Sequence, residues 1–188
     1  MYRAVAWKAL RSGIELSDKE KVAAVGRNLR LEFVRAPDGQ VLLVDGENVA
    51  QELKTEVISR GAAIVATYQE VRDLMTAKQR EIGRSGDVVM DGRDIGTIVF
   101  PDAEKKFFLD ADPEERGKRR YLELKAKNQD VDLAHIVEQV KQRDHEDRNR
   151  VIAPLRPAPD AIKVDTTDLK IDEVVDEVVR GIRSRADV

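Results

Sequence analysis

The sequence predicts an α/β fold, a parallel sheet flanked by helices, on three observations. Short, largely apolar runs each end at an aspartate: Val88-Val89-Met90 before Asp91, Lys106-Phe107-Phe108-Leu109 before Asp110, and Ala161 to Val164 before Asp165. Runs without alternation belong to strands covered on both faces, as in parallel sheets. Segments of helical periodicity lie between and after these runs, at 113–127, 132–147 and 171–182, so strand and helix alternate. The length of 188 residues, 41% of them hydrophobic, suits a single domain with one small insertion.

Taken in order, residues 3–12 place Val5, Ala6, Ala9 and Leu10 on one side of a helix that closes near Gly13, with Trp7 on its buried side. Ser17 followed by Glu20 reads as a capping box that opens a second helix through Val22, Val25 and Leu29. The period then changes. Leu31–Val34 and Val41–Val44 are β-type runs around Pro37-Asp38-Gly39, a hairpin signal, so residues 31–50 read as an insertion of antiparallel strands. Residues 55–67 and 69–82 predict two further helices, the second carrying Val71, Leu74 and Met75. The helix over 113–127 is entered by Asp112 as cap and Pro113 at its first position. The last helix lines up Ile171, Val174, Val175, Val178, Val179 and Ile182, the cleanest apolar stripe in the chain.

Composition excludes several chemistries. Thirty-three Lys and Arg against 36 Asp and Glu leave a net charge of −3, without the basic field of a nucleic-acid binder. There is no cysteine, so disulfides, thiol catalysis and cysteine zinc sites are out, and two histidines, His135 and His145, are too few for a histidine metal centre. No metal site of the protein's own is expected. No apolar run approaches the roughly 18 residues of a membrane span. A cytoplasmic protein without membrane contact is the expectation.

Two clusters carry chemistry. Sheets of this class bind ligands beyond the carboxyl ends of their strands, and the first such end reads Asp91-Gly92-Arg93-Asp94-Ile95-Gly96-Thr97. Glycine admits close backbone approach, Arg forks onto phosphate or carbonyl oxygens, and Asp accepts from amino or hydroxyl groups, a set suited to a phosphorylated polar ligand. A salt-bridged turn fits the same pattern. The second cluster runs from Arg143 through Asp144, Asp147 and Arg148 to Arg150, with Arg143, Asp147 and Arg150 on one helix face at i, i+4 and i+7. A solvated charged helix is its alternative reading. Residues 116–156 hold 11 Lys and Arg against seven Asp and Glu, although starting at Glu114 halves that excess, and the segment reads as a basic flap over polyphosphate.

In order and spacing these motifs resemble the bacterial cytidylate kinases, a family of nucleoside monophosphate kinases. The resemblance rests on Met1-Tyr2-Arg3-Ala4-Val5, Glu70-Val71-Arg72 with Gln79-Arg80, and Gly92-Arg93-Asp94 through Phe100-Pro101-Asp102-Ala103. It continues in Glu114-Glu115-Arg116 with Arg119-Arg120, in Arg143 to Arg150, and in Ala153-Pro154-Leu155, and it runs from residue 1 to about residue 180. It implies ATP-dependent phosphorylation of CMP and dCMP with Mg2+. By position, Arg72 and Asp94 read the cytosine, and Arg143 and Asp147 hold the sugar hydroxyls. Arg3, Arg93 and Arg150 bind the monophosphate with Tyr2 lining the pocket, and Arg119 closes over ATP phosphates. Arg93, Arg150 and Arg119 are the expected catalytic residues. Residues 30–66 become the family's extra nucleotide-binding subdomain and 116–156 its lid, within one kinase-like domain over 1–188. A monomer is expected for a full-length chain.

Two departures stand out. Ala63 takes the place where the family usually puts a serine that helps hold the base, which implies weaker CMP binding or blunter rejection of UMP. The chain also holds no G-x-x-x-x-G-K-[ST]; its one Gly-Lys, Gly117-Lys118, lies inside a predicted helix. By resemblance that loop precedes the Tyr-Arg pair by roughly 30 residues, so the ATP-binding segment and the first strands are expected to be missing, with Met1 an internal methionine of the family. The sheet order implied is 2-3-1-4-5 with the phosphate-loop strand central. Its absence predicts a gap between Val88–Met90 and Lys106–Leu109, direct closure of those two strands, or another chain in the slot. A non-catalytic CMP-binding or regulatory protein is the rival reading. A nucleic-acid binder is a poor third, with aromatics at 4%.

Overall fold

Alternation of strand and helix governs only the second half of the chain. The computed structural model describes residues 1–36, 39–84 and 86–184, and it divides into two units, Met1–Val88 and Val89–Val188.

The first unit is helical, with a small antiparallel sheet. Helix α1 (Tyr2–Arg11) buries Ala4, Val5, Ala6, Trp7 and Ala9. It stops where expected: Gly13 takes φ +69°, its N–H bonds to the Leu10 carbonyl, and the Ile14 N–H reaches back to the Ala9 carbonyl at 2.9 Å. These are the two bonds of a glycine helix stop, which satisfy carbonyls the helix leaves open. Helix α2 (Lys19–Asn28) starts one residue later than the capping box predicts. Asp18, not Ser17, is the cap, its carboxylate accepting the Lys21 N–H at 3.1 Å. A full negative charge at a helix N-terminus gains from the helix dipole in a way a hydroxyl does not.

Strands β1 (Leu31–Ala36), β2 (Gly39–Val44) and β3 (Glu47–Asn48) form the antiparallel sheet in the order β1-β2-β3, with Leu31 opposite Val44 and Ala36 opposite Gly39. The predicted turn residues Pro37 and Asp38 lie outside the described residues. A short 3-10 turn (Glu52–Lys54) leads to α3 (Glu56–Val65) and then α4 (Gln69–Gly83). Helices α1 and α3 pack so closely at Gly61 that a Cβ there would sit 2.9 Å from Leu16 Cδ1 and 3.1 Å from Ala6 Cβ. The core joins Val5 and Trp7 to Val22, Val44, Val49, Val65, Val71 and Met75.

The second unit holds the parallel sheet. Strand β4 (Phe107–Asp110) pairs in parallel with β5 (Ile162–Asp165), Phe107 opposite Ile162 and Asp110 opposite Asp165. The expected strand at Val88–Met90 is not formed. Those residues pair with no strand among the described residues, and Val89 is 99% exposed. An apolar run makes a strand only when a neighbour takes up its backbone groups. The expected cover on both faces is also incomplete, since Leu109 and Ile162 are exposed.

Helix α5 (Pro113–Ala126) begins as read, Asp112 accepting from the Glu114 and Glu115 N–H groups with Pro113 in the first turn. Helix α6 (Leu133–Asn149), capped by Asp132, packs on it, and a Cβ at Gly117 would fall 2.9 Å from the Val137 Cα. Gly117-Lys118 is therefore a helix-packing position. Helix α7 (Ile171–Arg183) forms, with Gly181 against the Phe107 ring, yet its apolar stripe contributes no buried residue: Ile171, Val175 and Ile182 are exposed. None of the described helices is long and apolar enough to cross a membrane.

Candidate functional site

In the second unit the chain turns at Asp94 into a single wide turn, Ile95–Val99. The Asp94 carbonyl takes both the Ile98 and the Val99 N–H, and the Ile95 carbonyl takes the Phe100 N–H at 2.7 Å. Bonds spanning five residues are rare and concentrate at functional sites. Here the turn buries Asp94 to 6% exposure directly beside the half-exposed Arg93.

Arg93 meets the end of α6. Its Nε donates to Asp147 Oδ2 at 2.9 Å, Arg150 Nη1 donates to Asp147 Oδ1 at 3.4 Å, and Arg143 Nε lies 4.0 Å from Oδ2. The predicted i, i+4, i+7 face thus exists, and a residue some fifty positions upstream completes it. Three guanidiniums surround one carboxylate. Asp147 and Arg150 are largely shielded, their side chains 15% and 12% exposed, while Arg93 and Arg143 keep nearly half their surface open. Burial, then the neighbouring Arg93 charge, pushes the Arg143 guanidinium below the ordinary arginine value, against the pull of Asp147 and Asp144. A cluster with this excess of cation and two half-exposed guanidiniums can receive an anion with several oxygens.

The cluster is braced from outside. Arg116 forks onto Asp144, Nη1 to Oδ1 at 2.9 Å and Nη2 to Oδ2, while its Nε donates to the Ala111 carbonyl. Arg148 reaches Asp110 Oδ2 at 3.4 Å, tying α6 to the carboxyl end of β4. At the same sheet end Thr166 bonds to the Asp110 carbonyl through both N–H and hydroxyl, and Thr167 accepts the Asp112 N–H. Arg119 Nη2 donates to the carbonyls of Thr166 (2.6 Å) and Thr167 (2.8 Å), and its Nε donates to Glu115 at 3.2 Å. Arg119 thus ties the loop after β5 to α5.

The other expected residues belong to the first unit. Arg72 is buried at 3% exposure, donates from Nη1 to the Ala66 carbonyl at 3.1 Å, and has its guanidinium 5.5 Å from the centre of the Tyr2 ring. Arg3 donates to the Leu53 carbonyl at 2.9 Å and to Ser59 Oγ at 3.2 Å, fixing the start of α1 to the 3-10 turn and α3. Ala63 is half-buried on α3. Among the described residues no group of three or more His, Asp or Glu side chains is gathered for a metal ion.

The cytidylate kinase family model matches residues 1–184. The chain belongs to the cytidylate kinase family. It is 42% identical over 186 residues to a cytidylate kinase of Bacillus velezensis, covering 99% of this chain and 83% of that protein. It is 44% identical over 188 residues to one of Syntrophotalea carbinolica, covering 100% and 80%. A Pseudomonas putida relative of the same name is 40% identical over 187 residues, covering 98% and 82%. As a member of the cytidylate kinase family the chain is a transferase of the kinase class.

Sequence reasoning missed several parts of this candidate site. Arg116 stands in the Glu114-Glu115-Arg116 motif, yet nothing in its spacing pairs it with Asp144, 28 residues on. The Thr166-Thr167 pair lies where strand-end logic points, immediately after Asp165, and that position was the available signal. Both histidines are exposed on α6, His145 within 3.2 Å of Asn149 and His135 within 2.9 Å of Gln139.

Proposed function

We propose that the chain holds a cytidine monophosphate, CMP or dCMP, as phosphoryl acceptor for ATP. The observation that carries this reading is the Arg93–Arg143–Arg150 cluster around Asp147, next to the buried carboxylate of Asp94. A nucleoside monophosphate brings a phosphate dianion, two or fewer sugar hydroxyls and a base. Arg93 and Arg150 hold the dianion; Arg3 and Tyr2, in the first unit, are assigned to the same phosphate by the family resemblance alone. Asp147 accepts a sugar hydroxyl proton in a hydrogen bond and Arg143 donates to the same sugar. Asp94 accepts from the exocyclic amine of the base, the contact that separates cytosine from uracil; Arg72, in the first unit, is assigned to the cytosine carbonyl by the family resemblance alone.

In the reaction an oxygen of the bound monophosphate attacks the terminal phosphorus of ATP, the bond to the bridging oxygen breaks, and ADP leaves as the nucleoside diphosphate forms. Catalysis of this step is mostly positioning and charge neutralisation. Arg93 and Arg150 hold the attacking phosphate in line and offset the repulsion between two anions. Arg119, tied to the loop after β5, is the residue the family resemblance assigns to the ATP phosphates. Mg2+ bound with ATP would shield the charge of the phosphates, since such ions bind mainly through substrate phosphates.

The acceptor half is tested by calorimetry with CMP, UMP and cytidine on the 188-residue chain. CMP is expected to bind more tightly than cytidine, and Arg93→Met and Arg150→Met each to weaken CMP by tenfold or more, on the order of a charge-assisted hydrogen bond. Equal affinity for CMP and cytidine overturns the assignment. The donor half is tested separately, by CDP formation from CMP and MgATP.

A further inference from the structure

One residue beside this site has a backbone its side chain does not favour. Ala153 adopts φ +49°. Among the described residues the other non-glycine residues at positive φ are Asp45, Asp87 and Asn128, types that tolerate the left-handed region; alanine does not share that tolerance. Ala153 also precedes Pro154, a position normally held to extended backbone. Strain of this kind persists only where its surroundings impose it, and it gathers at functional sites.

What surrounds Ala153 is the arginine cluster. Helix α6 ends at Asn149, and Arg150 leaves it at φ −62°, ψ 142°. Arg150 Nε donates to the Ala153 carbonyl at 2.5 Å while Nη1 faces Asp147. Two residues further on, the Leu155 N–H bonds to the Asp147 carbonyl at 2.7 Å, so the turn closes on the residue that Arg150 pairs with. Val151 is 98% exposed, so side-chain packing at that position does not hold the turn.

We propose that Ala153 is a positioning residue for Arg150. Its left-handed backbone aims its carbonyl at Nε. A guanidinium is planar, so fixing Nε on one edge fixes the direction of the two nitrogens on the other. Arg150 is thereby set toward the anion site before a ligand arrives, and the ordering of a long side chain is not charged against binding. This rests on the reading of Arg150 as a phosphate ligand.

The test is the ratio of CMP to cytidine affinity, which isolates the phosphate-dependent part. Ala153→Gly and Ala153→Asn tolerate positive φ and are expected to keep the ratio within about twofold. Ala153→Val, β-branched, is expected to lower it about fivefold or more, a coupling of ordinary size for contacting residues. Arg150→Met is expected to lower it too and to abolish any further effect of Ala153→Val. A purely structural role moves CMP and cytidine together and leaves the ratio alone. An unchanged ratio in Ala153→Val beside a lowered one in Arg150→Met overturns the positioning role. An unchanged ratio in Arg150→Met overturns the phosphate reading itself, and the inference with it. Exchange of the Arg150 Nε proton, followed by NMR in the unmutated chain, needs no variant to fold. It is expected to be slowed against the urea-unfolded chain, and equal exchange overturns the proposal.

Discussion

Asp144 shows how one carboxylate links the candidate site to stability. Burial raises its affinity for a proton, but the Arg116 fork and then the Arg116 charge outweigh that, leaving it below its ordinary value of 3.8. A carboxylate lowered on folding stabilises the native state fully above its unfolded value and loses that contribution as pH falls through the folded one. Urea unfolding at neutral pH and at about pH 3 should therefore show a smaller acid-induced loss in Asp144→Asn than in the parent chain. An equal loss would assign the acid sensitivity to other carboxylates. Ala63 belongs to the same scale. If the base binds there as the family resemblance implies, a hydroxyl gives it one more hydrogen bond, and Ala63→Ser is expected to raise the preference for CMP over UMP by about twofold to tenfold, the range of one net hydrogen bond. Competition calorimetry reads this directly. The cluster of Arg143, Asp147 and Arg150 was legible because helix spacing alone puts them on one face. Arg93 joins them through a fold-level contact 54 residues away, which no local pattern encodes.

At the scale of elements, local signals did best where the chemistry was local. The Asp112-Pro113 start of α5 and the Gly13 stop of α1 are satisfied by neighbouring backbone groups and appear as read. The start of α2 slipped by one residue because two adjacent caps compete and the charged one prevails. Val88–Met90 failed as a strand for a different reason. Strand character belongs to a pair, and the sequence of one partner cannot supply the other. The α5–α6 contact yields a prediction of its own. Gly117→Ala drives a methyl against Val137 backbone, which cannot yield as a flexible side-chain end does. It should destabilise by about 1–3 kcal/mol, the usual penalty of overpacking. Thermal unfolding followed by circular dichroism checks it; an unchanged midpoint would show that the helices separate freely there.

Across the whole molecule the two units are unequally furnished. The first gathers Val5, Trp7, Val22, Val44, Val65, Val71 and Met75 into one cluster. In the second the buried apolar residues are Val99, Ala111, Leu124, Ile136 and Ala158, among the described residues, and α7 buries none. Hydrophobic burial is the main force for folding, so the second unit should yield first to denaturant. That ordering has a spectroscopic consequence. Trp7, the chain's single tryptophan, sits in α1 with the Arg11 guanidinium 4.8 Å from its ring. Its emission watches the first unit and is blind to local melting of the second. Urea titrations should therefore separate, ellipticity falling at lower concentration than the red shift of tryptophan fluorescence, whereas superimposable curves would mean that the two units unfold as one. A fluorescence midpoint alone would overstate the durability of the half that carries Arg93, Arg143, Asp147 and Arg150.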